Sequence, residues 1–142
     1  MRYLILLHGD EAAEAELSAD ERRRIVEGHI EFSRRARERG YHLSGDALEP
    51  SATAISIRKG QVTDGPFAET KEEVGGYYIV ECGGREEVIE LARGIPDSPG
   101  LVIDIRQLSD MWRSGEAAHP VSSTRDAGRG HLPAGSPAPI PI

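Results

Sequence analysis

Val74-Gly75-Gly76-Tyr77-Tyr78-Ile79-Val80-Glu81-Cys82 places bulky apolar groups on both sides of an extended chain. Tyr77 and Ile79 fall on one face and Tyr78 and Val80 on the other. A strand with this pattern needs cover above and below, and so belongs inside a sheet. A second stretch reads the same way. Tyr3, Ile5 and Leu7 share one face, Leu4 and Leu6 share the other, and Gly9 ends the run.

The flanking segments supply the remaining elements. Downstream, Glu86 to Arg93 has the composition of a short helix stopped by Gly94 and Pro96, and Leu101 to Arg106 reads as a last strand. Upstream, Ser18 and Glu21 form a capping box that opens a helix through Arg22 to Arg39, with Gly40 as its stop. Ala52 to Arg58 alternates Thr53, Ile55 and Ile57 against smaller residues, as a strand with one apolar face does. Lys59-Gly60 can reverse the chain, and Gln61-Val62-Thr63 leads into a long connection. The predicted order is strand, helix, strand, strand, helix, strand. That is an α+β, ferredoxin-like βαββαβ protomer whose first and third strands are central.

Two helices cover one sheet face only. The other apolar face requires a partner, because large contiguous apolar patches are rarely left in water. A homodimer packed sheet to sheet, a dimeric α+β barrel, is the expected solution.

Composition narrows the function. Net charge is −7, and residues 113–142 hold three basic and two acidic side chains, so the body carries −8. An acidic body lacks the basic field that drives nucleic-acid binding. The arginines between Arg22 and Arg39 alternate with Glu27, Glu31 and Glu38, as on a solvated helix face with i,i+4 pairs. Cys82 is the single cysteine, which excludes an intramolecular disulfide and a thiolate cluster. The Leu4-Ile5-Leu6-Leu7 run is too short for a signal peptide or a membrane span. A cytoplasmic protein with no membrane partner is expected. Residues 1–112 form the predicted domain. In residues 113–142, 13 of 30 are Pro, Gly or Ser, the composition of a flexible tail.

Several side chains could carry chemistry. With Ile25 at zero on a helical wheel, His29 falls near about 40°, between Ala36 at about 20° and Val26 at about 100°. An imidazole inside the apolar sector requires a polar partner, and is more often a satisfied core residue than a catalyst. Asp46 follows Ser44-Gly45 and is a candidate carboxylate for it. His8 and Asp10 lie where the first strand leaves the sheet, a usual place for ligand contacts.

Between the strands lies Asp64-Gly65-Pro66-Phe67-Ala68-Glu69-Thr70-Lys71-Glu72. Asp64 can form an Asx turn, Gly65 permits positive φ, and Pro66 aims Phe67 inward. Each of these roles is structural; Asp64 and Phe67 are also kept among the ligand-binding candidates, and Glu69 to Glu72 could bind a polar ligand or rim a dimer contact. Phosphate-loop, dinucleotide, zinc-protease and serine-hydrolase motifs are absent. No cofactor or metal is expected, since His8, His29 and His42 show no ligand spacing.

The Asp64–Glu72 segment, followed by Gly75-Gly76-Tyr77-Tyr78-Ile79, closely resembles the DGPF motif of the YCII-related family. Met1-Arg2-Tyr3-Leu4 through His8-Gly9-Asp10-Glu11 looks like that family's opening strand and acidic turn. The resemblance spans about residues 1–108 and implies a dimeric α+β barrel. It also implies that His29 stands where the family's histidine is found, with Glu38, Asp46 or neither as its acid. The wider family includes a dehydrochlorinase, and DGPF-type proteins are often encoded beside extracytoplasmic-function sigma factors.

Two functions compete on these grounds. One is a small-molecule-binding or enzyme-like dimer, a lyase or isomerase in which His29 and Asp46 perform acid/base work. The other is a non-catalytic regulatory dimer associated with a sigma-factor system.

Overall fold

The computed structural model describes residues 1–68 and 73–111. Four strands form an antiparallel sheet: β1 (Arg2–Gly9), β2 (His42–Ala47), β5 (Glu73–Glu81) and β6 (Val102–Gln107), in the order β2-β5-β1-β6. Two further strands, β3 (Ile55–Arg58) and β4 (Gln61–Asp64), pair among the described residues only with each other. Helices α1 (Glu11–Ala15), α2 (Ala19–Glu38) and α3 (Arg85–Ala92) complete the elements used below. The architecture is α+β and compatible with a ferredoxin-like fold. The two runs expected at the centre, β1 and β5, do occupy it.

The local reasons are visible. The Ser18 hydroxyl accepts from the Glu21 amide at 3.1 Å, and the Glu21 carboxylate accepts from the Ser18 amide at 2.9 Å, closing the expected capping box. At the other end Gly40 takes φ +89°, while Gly40 N donates to Arg37 O and Tyr41 N to Ala36 O. That is a Schellman stop, and it turns the chain directly into β2. Arg34 and Arg35 pair with Glu31 on the solvated face, as expected of the charge pattern.

The core lies between the sheet and the helices. Tyr3, Ile5 and Leu7 of β1 and Tyr78 and Val80 of β5 meet Phe32 and Ala36 of α2 and Val88, Leu91 and Ala92 of α3. The opposite sheet face is only half-covered: Leu4, Leu6, Tyr77 and Ile79 are of intermediate exposure.

Three expectations are corrected. The strand expected over residues 52–58 is not in the main sheet; His42–Ala47 fills that edge, and Ile55–Arg58 belongs to a separate hairpin reversed at Lys59-Gly60. The short helix α1 was not anticipated. Phe67 is not aimed inward but is 84% exposed, because the turn at Gly65 (φ +97°) leads away from the core. The expected rim of Glu69 to Glu72 and the tail of residues 113–142 lie outside the described residues. Among the described residues no helix is long and apolar enough to cross a membrane.

Candidate functional site

His29 is 2% exposed, and its Nδ1 lies 2.9 Å from the Tyr78 hydroxyl, with the two rings stacked at 6.0 Å. The sequence required a polar partner for this imidazole, and Tyr78 supplies it from the helix-facing side of β5. Burial pushes the imidazole down to about 4 and the Tyr78 phenol up to about 12, so both are neutral at pH 7. The Ser33 hydroxyl opposes the phenol shift.

Asp46 goes elsewhere. It is paired in register with Tyr77, whose hydroxyl donates to Asp46 Oδ2 at 3.0 Å. Tyr77 and Tyr78 are adjacent on one strand and so point to opposite faces. The expected His29–Asp46 dyad is therefore not formed: the sheet stands between them, and each is held by its own tyrosine. Glu38, the alternative acid, is exposed and bound to Arg34.

The other candidates separate. Asp64 ends β4, exposed and in register with Ile55 in the outlying hairpin, away from His29. Asp10 caps α1, its Oδ1 accepting from the Ala13 amide at 3.1 Å. His8 lines a cavity of about 590 Å³ at the end of the sheet.

That cavity is the strongest site among the described residues. It is enclosed by the ends of β1 and β2, the start of β5, α1, the first turns of α2 and the loop before β6. Leu7, Leu17, Ile25, Val26, Leu48 and Leu101 supply apolar walls. Glu11, Glu14, Arg22 and Glu73 supply charge around His8. A register shift in the β1–β5 pairing between Leu7 and His8 lets Gly75 reach the same space.

The polar members are anchored. Glu11 accepts from the Ser51 amide at 2.8 Å and from the Ser51 hydroxyl at 2.7 Å, tying α1 to the segment after β2. Arg22 donates to the Glu14 carbonyl at 3.2 Å. The Glu14 carboxyl is raised above its ordinary range by burial and by the nearby charges of Glu11 and Asp10, against the pull of Arg22. A Cβ at Gly9 would strike this carboxylate, so the glycine leaves it room.

Sequence reading missed Glu11, Glu14 and Arg22. The signal for α1 was present: an aspartate cap followed by Glu11-Ala12-Ala13-Glu14-Ala15, a helix-forming run with acids in its first turn. That Glu14 turns toward a cavity depends on the ends of β1 and α2, and no local pattern encodes it.

A smaller cavity of about 330 Å³ lies between α2 and α3, lined by Phe32, Leu91 and Pro96 among others. His29 and Asp46 line neither cavity. No group of three or more His, Cys, Asp or Glu among the described residues is arranged to hold a metal ion.

Comparison with known proteins places the chain. The family model described as YCII-related domain matches residues 1–111. An uncharacterized protein of Rhizobium meliloti is 30% identical over 102 residues, covering 69% of this chain and 82% of that relative.

Proposed function

Because the chain belongs to the YCII-related domain family, we propose that it is a small-molecule-binding protein acting as a homodimer, with its ligand in the cavity at the end of the sheet. The observation that carries this reading is the cavity itself. It joins apolar walls to a few anchored polar groups at the ends of several strands, the usual make-up of a small-molecule site. His8 is the imidazole that lines it. Lyase or isomerase chemistry centred on His29 loses its geometric support, since that ring is sealed against Tyr78.

The dimer reading rests on the open sheet face. Ser44, Ile79, Leu4 and Arg106 lie in one row across it, and Asp46, Tyr77, Leu6 and Asp104 in the next. An apolar centre with a polar border is the anatomy of an interface. A second copy applied with two-fold symmetry covers it.

Native mass spectrometry of protein purified from its own host tests both parts. The expected spectrum is a dimer carrying a small-molecule adduct. In Ala47→Trp, which fills the cavity wall, the adduct disappears while the circular dichroism spectrum is retained. Leu4→Glu, with Arg106 beside it as a partner within the monomer, gives a folded single copy. An adduct that survives Ala47→Trp rejects the cavity as the site, and a monomeric wild-type protein rejects the dimer.

A further inference from the structure

Resting on the reading of the chain as a dimer closed over its open sheet face, we propose the orientation of the second copy: β6 stacks on β6, and Arg106 of each copy pairs with Asp104 of the other. Alternation places the groups. On β6, Ile103 and Ile105 pack against the core, so Asp104 and Arg106 project from the open face. On β2, Leu43 is the core residue, and Ser44 and Asp46 stand on the open face. These four polar groups are the corners of a block whose middle is Leu4, Leu6, Tyr77 and Ile79. Ser44 and Arg106 end one row of it, and Asp46 and Asp104 end the next. Arg106 is exposed and in register with Leu4, so its own row holds no acid. The other arginine on this face, Arg2, lies in the row beyond and is in register with Glu81.

Two aligned stackings bring the apolar middle of one copy onto that of another, and the corners distinguish them. With the two-fold axis along the strands, β2 lies over β6 of the second copy and each row meets its own row. Tyr77 then covers Leu6, but Asp46 faces Asp104 twice over. Like charges brought together across a contact oppose it. With the axis across the strands, each strand lies over its own counterpart and the two rows exchange. Leu6 then covers Leu4 and Tyr77 covers Ile79, so the apolar match is kept. Arg106 meets Asp104 at both ends of the β6 edge. Asp46, which accepts from the Tyr77 hydroxyl at 3.0 Å, meets the Ser44 hydroxyl of the second copy, another neutral donor. Stacked sheets stand about 10 Å apart, a gap that an arginine and an aspartate reaching from opposite sides can bridge. Charge complementarity therefore selects the second arrangement.

Sedimentation equilibrium of the full-length protein at low salt, with circular dichroism to confirm folding, tests the orientation. Arg106→Asp and Asp104→Arg should each raise the dimer Kd about ten-fold, since symmetry removes two partly solvated pairs and sets like charges in their place. The exchange variant carrying both substitutions restores opposite charges across the β6 edge and should return to the wild-type Kd. The arrangement with β2 over β6 gives a different pattern: Asp104→Arg would face Asp46 and tighten the dimer, while Arg106→Asp would face Ser44 and change little. That pattern overturns the proposed orientation and leaves the dimer standing. An exchange variant no tighter than the single variants also overturns it, because Arg106 and Asp104 are then not partners. A wild-type protein that sediments as a single copy overturns the orientation and the dimer together, and a Leu4→Glu variant that remains dimeric moves the contact off the sheet face and overturns both.

Discussion

The hydroxyl of Tyr78 and Nδ1 of His29 lie 2.9 Å apart inside the core, joining the middle of β5 to the middle of α2. Each group is the other's means of entering an apolar environment. An unpaired imidazole nitrogen or phenol in that position would lose its hydrogen bond to water with nothing in exchange.

Tyr78→Phe removes one partner and keeps the ring against Phe32, 5.0 Å away. The stranded imidazole should lower unfolding free energy by about 1–3 kcal/mol. Adding His29→Leu removes the stranded group, so the double variant should be less destabilised than the two single losses combined. Urea denaturation of all four proteins measures the coupling; simple additivity would show that the contact contributes nothing.

The same burial makes stability depend on pH in the direction opposite to most histidine pairs. Burial holds the folded imidazole down to about 4, below its ordinary 6.5, so the unfolded chain binds the proton first as pH falls. Stability from this group is intact above pH 6.5 and declines as pH drops toward 4. It can amount to about 3 kcal/mol from a shift of this size. Unfolding free energies measured between pH 7.5 and 4 should slope downward in the wild type. In His29→Leu the part of the slope belonging to this group should vanish.

Why some of this was legible and some was not follows from what each pattern encodes. β1 and β5 announce themselves because apolar groups on both parities fit no edge strand. The edge strand β2 does not, since of its residues only Leu43 is buried and the rest read as a polar turn. Thr53 to Ile57 shows cleaner alternation, yet Ile55 and Ile57 face water in the single chain. Alternation reports that one side of a strand is apolar; it carries no information about what that side meets. The same limit explains the dyad. Helical spacing put His29 on the apolar face, but whether it met Asp46 or Tyr78 depended on the register of β2 against β5.

That register has a further consequence at Gly45, which stands opposite Tyr78. A Cβ there would collide with the Tyr77 carbonyl and approach the Tyr78 ring to 2.8 Å. Backbone and a packed ring cannot yield as a surface side chain can. Gly45→Ala should therefore cost about 1–3 kcal/mol, whereas alanine at Gly9, opposed by the flexible Glu14 side chain, should cost less. Thermal unfolding of the two variants side by side would decide it, and a larger loss at Gly9 would contradict the packing described.

The β3–β4 hairpin should be removable without loss of the sheet. Ala54 O accepts from Gly65 N at 2.6 Å, so the two ends of the excursion already touch and a two-residue link can span them. Between these ends the hairpin pairs, among the described residues, with itself alone, and Ile55, Ile57 and Val62 are each about two-thirds exposed, so little apolar area is returned to water when they go. The remaining sheet keeps every β2–β5, β5–β1 and β1–β6 pair. A variant with residues 55–64 replaced by Asn-Gly should retain one cooperative unfolding transition and the native amide shifts of β1 and β5. Loss of the transition would place the hairpin inside the folding unit. A folded variant that sediments as a single copy where the wild type sediments as a dimer would place its exposed isoleucines in the contact between copies.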